Sequence, residues 1–301
     1  MGNVADGKAQ IEDIKTMDLR DLIDDNGECI IPDGVTRIGD YAFWGCTKLT
    51  SIKIPDNVTE IGFMAFRGCI GLTSIEIPNT VEKIGFMAFA ECSKLTSVEI
   101  PASVTRIEDL AFGKCVGLTS IEIPDSTSRI GEWTFCGCPK LTSIVISKNN
   151  PNFKSINNCC ISKNGDELIF GCKNSIIPES VKIIGGWAFS GCSELTSITI
   201  PPSVTKIGNR AFERCTELTS IEIPDNVMEI GNEAFLECTK LTSVSILIDK
   251  KSPEMSKNVL NILIHFKPSV VTLKVPIGCG YAYRHHPDFA GKFKEVLAVL
   301  D

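Results

Sequence analysis

The sequence predicts a β-rich α/β solenoid in which 23-residue units stack, form a parallel β-sheet, carry short helical turns on the convex side and end in terminal caps. Three observations predict it. Proline, phenylalanine and cysteine each recur every 23 residues, eight copies share one pattern, and each copy opens on apolar residues that alternate with polar ones. A unit this short cannot shield its apolar face from water, so units must stack ~4.8 Å apart, the spacing of paired strands.

Three residue types mark the same three positions in each copy, and stacking in register would turn each set into a column. The prolines are Pro32, Pro55, Pro78, Pro101, Pro124, Pro178, Pro201 and Pro224. The phenylalanines are Phe43, Phe66, Phe89, Phe112, Phe135, Phe189, Phe212 and Phe235. The cysteines are Cys46, Cys69, Cys92, Cys115, Cys138, Cys192, Cys215 and Cys238.

One copy, residues 49–72, shows how a unit is built. Ile52 and Ile54 alternate with polar residues, which predicts a strand with one buried face, and Pro55 ends it because proline donates no ladder hydrogen bond. Phe66 then fills the core from the opposite side. Short polar residues stand two positions after six of the prolines, and we expect them to hydrogen-bond turn backbone; they are Asn57, Thr80, Ser103, Ser126, Ser203 and Asn226.

The predicted domain organisation is an N-terminal cap over residues 1–30, the solenoid over 31–246 and a C-terminal cap over 247–301. Ile11, Ile14, Met17, Leu19 and Leu22 predict a short amphipathic helix in the first cap. An acidic segment, residues 24–27, follows it and is interpreted as a turn. Its alternative, a calcium loop, lacks the alternating ligand positions. In the last cap we expect a modified unit at 248–266, a final strand at 270–275 and a helix at 288–300.

An irregular repeat interrupts the pattern at residues 147–177. Pro124 and Pro178 are 54 residues apart, or two units of 27. Asn164-Gly165 lies between alternating apolar runs and predicts the turn of a short β-hairpin. Cys159, Cys160 and Cys172 lie in this segment and are the candidate reactive thiols.

The column of cysteines is interpreted as a set of small buried hydrophobes whose thiols donate weakly to nearby backbone. Parallel side chains one strand apart do not face each other, as a disulfide requires. A zinc site is the alternative, but Cys136-x-Cys138 and Cys159-Cys160 lack its spacing and a nearby histidine. We expect no metal and no cofactor.

Composition excludes several classes of function. Thirty Lys and Arg against 37 Asp and Glu give a net charge of −7, which offers no general field for nucleic acid. No apolar run approaches the ~20 residues needed to span a bilayer. The first residues have neither a basic start nor an apolar stretch, so we find no secretory signal in this sequence.

We expect no enzymatic activity. The sequence has no nucleophile elbow, metalloprotease motif or phosphate-binding glycine loop. A column of serines, from Ser51 to Ser243, has no histidine near it in sequence to act as a base. His285-His286 is interpreted as a surface turn, and a metal or catalytic pair is the alternative. An enzyme built on residues 147–177 is the remote alternative.

Outward strand positions form the candidate partner-binding face, which is Ser51, Lys53, Ser74, Glu76, Ser97, Glu99, Ser120, Glu122, Thr199 and Glu222. Glu76, Glu99 and Glu122 would lie ~4.8 Å apart, and we interpret them as an acidic stripe that receives a basic segment of a partner. A merely solvated face is the alternative. A second candidate is an apolar row, Phe63, Met64, Phe86 and Met87, whose alternative is partial burial between neighbouring turns.

The repeat, I-P-x-x-V-x-x-I-G-x-x-A-F-x-x-C-x-x-L-T-S-I, resembles the BspA-like family of leucine-rich repeats, also called the Treponema pallidum type. The resemblance covers about residues 28–246, and the segment 271–276 followed by Tyr283-Arg284 is similar to the family's closing segment. It implies a curved solenoid displayed at the surface of bacteria or parasitic protists, where members bind host matrix proteins or other microbes.

The repeats and the missing catalytic motifs predict a non-catalytic binding module, a monomer that recognises a protein or a glycan through its sheet face. The resemblance implies that it acts in adhesion, at the cell surface or after secretion. The alternative is an intracellular, cytoplasmic scaffold, which the absence of a visible signal and the many thiols favour.

Overall fold

A computed structural model describes residues 18–247, 271–285, 287 and 294–299. The chain divides into two compact units, Met1–Phe135 and Cys136–Asp301. Within each, successive 23-residue turns stack in register, so the predicted fold class, a β-rich solenoid with parallel sheets, is confirmed.

The first unit contains a 3-10 helix, Leu19–Leu22, and eight short strands. These are β1 (Glu28–Ile30), β2 (Arg37–Ile38), β3 (Ser51–Lys53), β4 (Glu60–Ile61), β5 (Lys83–Ile84), β6 (Arg106–Ile107), β7 (Ser120–Ile123) and β8 (Arg129–Ile130). Between the helix and β1, Asp24 Oδ1 accepts hydrogen bonds from the N–H groups of Asn26 and Glu28 at 2.9 and 2.8 Å, which confirms the predicted turn.

Each turn of the first unit has two strand positions, whereas the sequence predicted one. The second position forms a five-stranded parallel sheet in the order β2-β4-β5-β6-β8, with Ile38, Ile61, Ile84, Ile107 and Ile130 aligned. The first position, predicted as a continuous sheet, is paired only in part: β1 pairs with β3, Glu99 bridges Glu122, and residues 74–77 form no strand. The second column was missed because strands of two residues are too short to show alternation.

The second unit contains eleven strands and one helix within its described residues. They are β9 (Ser143–Ile146), β10 (Phe153–Ile156), β11 (Cys159–Ser162), β12 (Glu167–Phe170), β13 (Ile183–Ile184), β14 (Lys206–Ile207), β15 (Ser220–Ile223), β16 (Glu229–Ile230), β17 (Ser243–Leu247), β18 (Val271–Pro276), α1 (Gly280–His285) and β19 (Glu295–Val299). Two sheets run in the orders β10-β11-β12-β13-β14-β16 and β15-β17-β18-β19.

The predicted hairpin of the irregular repeat is present, with a third strand that the sequence analysis missed. Strands β11 and β12 are antiparallel on either side of Gly165, whose φ is +92°. Strand β10 also pairs antiparallel with β11 through the two residues Asn157 and Asn158, both at positive φ (51° and 59°). Two consecutive left-handed residues are typical of a two-residue hairpin turn, and asparagine tolerates that conformation.

The C-terminal prediction is wrong in part. Strand β19 occupies residues where a helix was predicted, and it pairs in parallel register with β18, so the strand predicted as the last one is followed by another. Val296 is buried between exposed Glu295 and Leu297, which is a period of two rather than of a helix. The predicted unit at 248–266 and Ile11, Ile14 and Met17 lie outside the described residues, so the cap boundaries stay a prediction.

The core of each unit is a column of stacked phenylalanine rings. Neighbouring ring centroids are 5.2 Å apart for Phe43 and Phe66, and likewise 5.2 Å apart for Phe189 and Phe212 in the second unit. The helical turns predicted beside these rings are instead hydrogen-bonded turns with residues such as Met64 at positive φ (51°). A helix does not form because the backbone donors bond across turns: the N–H of Phe66 donates to the carbonyl of Ala88 at 2.7 Å.

The short polar residues after the prolines bind turn backbone as predicted. Thr80, Ser103, Ser126 and Ser203 donate their hydroxyls to valine carbonyls one turn earlier, at 2.6, 2.7, 2.9 and 2.7 Å. The side-chain amides of Asn57 and Asn226 donate to the carbonyls of Asp33 and Pro202. This column therefore satisfies carbonyls that the irregular backbone leaves outside any ladder.

Candidate protein-binding face

The ten residues predicted to form the partner-binding face lie on the outer side of the first strand position. Nine of them are exposed and Ser51 is half-buried. Strand β7 shows why: Ile121 and Ile123 are buried, whereas Ser120 and Glu122 between them point to solvent. Eight of the ten, from Ser51 to Glu122, belong to the first unit, and Thr199 and Glu222 belong to the second.

The acidic stripe, Glu76, Glu99 and Glu122, is exposed on three successive turns of the first unit. Glu99 and Glu122 are directly paired across neighbouring turns. Among the described residues none of the three carboxylates lies in an ion pair. Like charges one strand apart repel each other, so the stripe holds negative charge that no ion pair within the described residues neutralises.

The charges beside the second strand position of the same unit are offset. Glu60 binds Arg37 at 3.1 Å and Lys83 at 3.0 Å, and Arg106 binds Glu108 at 2.9 Å. Burial opposes ionisation of Glu60, but the hydrogen bonds from Lys83 and Arg37 outweigh it, so the pKa of this carboxyl is lowered. This side of the unit is therefore less suited to a charged ligand than the acidic stripe.

In the second unit the face changes character. Glu222 forms an ion pair with Lys274, so its charge is offset. Thr199 and Ser197 line a groove of about 480 Å³ together with Ile176, which is 67% exposed. The sequence analysis missed Ile176 as a face residue because it lies in the irregular repeat. Its place two residues before Pro178, like that of Ile30 before Pro32, is the signal that would have found it.

The apolar row is packed between turns. Phe63, Met64, Phe86 and Met87 are all half-buried, and the rings of Phe63 and Phe86 stack with centroids 5.2 Å apart. Partial burial, the alternative given above for this row, is therefore the arrangement found.

Five thiols of the cysteine column donate to backbone as predicted, each to the carbonyl of the phenylalanine 26 residues earlier, and Cys192 donates to the carbonyl of Gly171 instead. The Sγ–O distances are 3.0 Å for Cys69, 3.2 Å for Cys92, 3.1 Å for Cys115, 3.2 Å for Cys215 and 3.0 Å for Cys238. Burial raises the pKa of Cys69 and of Cys115 to about 12. All fourteen cysteines of the chain are free.

The cysteines of the irregular repeat are not reactive thiols, contrary to the prediction. Cys159, Cys160 and Cys172 are all buried. Burial raises the pKa of Cys159 to about 11 and also raises the pKa values of Cys160 and Cys172. Since the thiolate is the nucleophile, raised pKa values make these side chains unreactive at neutral pH.

The buried thiols predict a loss of stability in alkali. An unfolded thiol ionises near pH ~8.5, whereas Cys115 in the folded protein holds its proton to about pH 12. Between these values the unfolded state binds fewer protons, so the free energy of unfolding falls as the pH rises. We expect Cys115→Ala to reduce that fall between pH 8 and 10 by about 2 kcal/mol, measured by urea denaturation.

Val104→Ala is the matched control, because Val104 is equally buried and carries no titrating group. It should lower stability by the same amount at both pH values. A fall in Cys115→Ala as steep as in the wild type would contradict the raised pKa.

His285 is exposed, as the first interpretation predicted, but it is the last residue of the helix α1 and does not lie in a turn. Its Nδ1 is 2.9 Å from the carbonyl oxygen of Tyr281, and the two rings stack with centroids 4.0 Å apart. His286 lies outside the described residues. Within the described residues, no group of three or more histidine, cysteine or acidic side chains is placed to hold a metal ion.

Comparison with known proteins places these features in a family. The model of the BspA type leucine rich repeat region matches the chain in six copies, over residues 26–114, 61–170 and 168–262. No curated protein matches the chain. None of the helices in the described ranges is both long enough and apolar enough to cross a membrane.

Three solved structures are similar. The pneumococcal vaccine antigen PcpA has 19% identity and a TM-score of 0.62, over 91% of this chain and 79% of that one. A leucine-rich repeat protein from Eubacterium ventriosum ATCC 27560 has 24% identity and a TM-score of 0.58, over 92% and 82%. These two show the fold alone. A leucine rich cell surface protein from Faecalibacterium prausnitzii A2-165 has 31% identity and a TM-score of 0.56, over 75% of each chain.

Proposed function

Because this chain belongs to the BspA-type leucine-rich repeat family, we propose that it is a non-catalytic protein-binding module of a bacterial cell surface. The proposal extends to the ligand: a basic, extended segment of another protein binds along the outer face of the first unit. The observation that supports this most is the acidic stripe, because its three carboxylates are exposed on successive turns and form no ion pair within the described residues.

The geometry of the face suits such a ligand. A row of like charges at one strand spacing attracts lysine or arginine side chains and speeds their association. Lys53 and Ile30 lie on the same row, one and two turns before the stripe, and Ile30 is 70% exposed. An apolar side chain of the ligand would pack on Ile30 at one end of the row, and its basic side chains would lie along the acidic stripe at the other end. These two contacts fix the direction in which the ligand binds.

A surface location is supported by the similar cell surface protein from Faecalibacterium prausnitzii. The fourteen free thiols do not argue against it. Most are buried, and the raised pKa values of those in the column keep them protonated, so an oxidising environment would act on them slowly. Binding of an antibody to intact cells of the source organism tests this part: labelling only after permeabilisation would contradict it.

The binding proposal is tested with the triple variant Glu76→Gln, Glu99→Gln, Glu122→Gln. The probe is a fluorescent nonalysine peptide, and the measurement is its dissociation constant by anisotropy at low and at physiological salt. Exposed charge pairs contribute ~0.2–1 kcal/mol each, so the loss of three should weaken binding about 10-fold. The difference should shrink as salt rises.

A matched variant carries the same change of charge away from the stripe: Asp56→Asn, Glu82→Gln, Glu132→Gln. All three residues are exposed in the first unit. If this variant weakens the peptide as much as the first one does, only the net charge matters and the proposed site is wrong.

A further inference from the structure

A groove of about 280 Å³ lies on the side of the first unit that carries the second strand position. Its lining includes the half-buried rings of Phe63 and Phe86, the carboxylates of Glu60 and Asp109, and Lys83. Its volume is near the lower limit of small-molecule sites, and its mixture of aromatic and polar groups is typical of them. It is separate from the acidic stripe, which the other strand position carries.

Backbone donors in this groove lack the partner that the same position has elsewhere. The N–H of Phe63 donates to Asp40 Oδ1 at 2.9 Å, and the N–H of Glu132 donates to Asp109 Oδ1 at 3.0 Å. In both, the acceptor is the side chain one turn earlier. The side chain one turn before Phe86 is Phe63, and the side chain one turn before Asp109 is Phe86. A phenylalanine has no side-chain oxygen that could accept a hydrogen bond. Within the described residues these two N–H groups donate no hydrogen bond.

The charged groups of the groove neutralise one another. Arg37 binds Asp40 at 2.7 Å and Glu60 at 3.1 Å, and Lys83 binds Glu60 at 3.0 Å. An ionic ligand would have to break these pairs to gain a partner. A neutral ligand can leave them intact, because the outer lone pairs of paired carboxylates still accept hydrogen bonds.

We propose that this groove binds a neutral carbohydrate. A sugar hydroxyl accepts a hydrogen bond from the free N–H of Phe86 or Asp109 and donates one to a neighbouring carboxylate, and a sugar ring carries several such hydroxyls. The apolar C–H face of the sugar ring packs against Phe63 and Phe86, whose remaining exposed surface is then removed from water. Binding would satisfy two backbone donors at once.

Phe86→Asn tests the proposal, because the chain already shows what asparagine does at this position. Asn209 Oδ1 accepts from the N–H of Asn232, one turn later, at 2.8 Å. The amide oxygen that Phe86→Asn introduces would likewise accept from the N–H of Asp109, and the substitution removes one ring while it keeps the turn hydrogen-bonded. Phe63→Asn, which would occupy the N–H of Phe86, is the second variant should the first not fold.

The full chain is titrated with glucose, galactose, N-acetylglucosamine, lactose and maltose, with saturation-transfer NMR and calorimetry as readouts. We expect millimolar binding of at least one sugar, a loss of about 10-fold or more in Phe86→Asn, and an unchanged affinity in the triple glutamine variant of the acidic stripe. Sialyllactose should bind no better than lactose. The proposal is overturned if no sugar binds saturably, if Phe86→Asn binds as well as the wild type, or if nonalysine displaces the sugar.

Discussion

Replacing Phe112 by alanine is expected to lower the free energy of unfolding by about 3–5 kcal/mol. Phe112 is fully buried and its ring stacks on both sides, 5.3 Å from Phe89 and 5.5 Å from Phe135. The turns above and below cannot close over the cavity, because the cross-turn hydrogen bond from the N–H of Phe112 to the carbonyl of Thr134, 3.0 Å long, fixes their spacing. Urea denaturation followed by circular dichroism measures the loss.

Phe63→Ala is the control, since Phe63 lies in the same unit but is only half-buried. It should cost clearly less, because less apolar surface returns to water. A loss below about 1 kcal/mol for Phe112→Ala would be incompatible with core packing of these rings.

Gly208→Ala is expected to destabilise the second unit by about 1–3 kcal/mol. A Cβ atom at this position would lie 2.5 Å from the backbone nitrogen of Gly186 and 2.7 Å from the carbonyl carbon of Gly185. Both are main-chain atoms of the preceding turn, so no side-chain rotation relieves the contact. The two turns must move apart, and the hydrogen bond from the N–H of Gly208 to the carbonyl of Ile184, at 2.7 Å, is strained.

Gly39→Ala is a matched control for this prediction, because Gly39 follows Ile38 as Gly208 follows Ile207. Gly39 has nothing within 4 Å of the added Cβ, since it belongs to the first turn of its sheet. Its substitution should not lower stability, because alanine also restricts the unfolded chain. Equal losses in the two variants would show that crowding between turns does not decide the cost.

Much of the fold could be predicted because a 23-residue period places each residue type in one environment. Phe66 and Cys69 were placed in the core by repetition, Ile52 by its alternation with polar residues, and Thr80 and Ser103 were assigned to turn backbone because they recur after the prolines. Repetition carries this information because stacked copies place equivalent residues in the same packing environment.

The sequence analysis missed two kinds of feature: those in which the repeat copies differ from one another, and those in which hydrogen bonds between turns determine the backbone conformation. Asn157-Asn158 forms a turn that no other repeat contains. Strand β19 follows β18 at the same 23-residue spacing, but its sequence lacks the repeat pattern and it was predicted as helix. The helical turns did not form because the N–H of Phe66 bonds to the next turn, which no local pattern reveals. Likewise, the N–H groups of Phe86 and Asp109 are free because the side chains one turn earlier are phenylalanines. Only the register of the stacked turns shows that these residues are neighbours.

The in-register columns of the first unit have a consequence for how its length can vary. Each turn meets the next through the same contacts, with Ile61 beside Ile84 and Phe66 beside Phe89. A gene segment that encodes one whole period can therefore be duplicated or deleted by unequal recombination, and the flanking turns still fit. An insertion of one or two residues within a strand would instead misalign every column on one side of it.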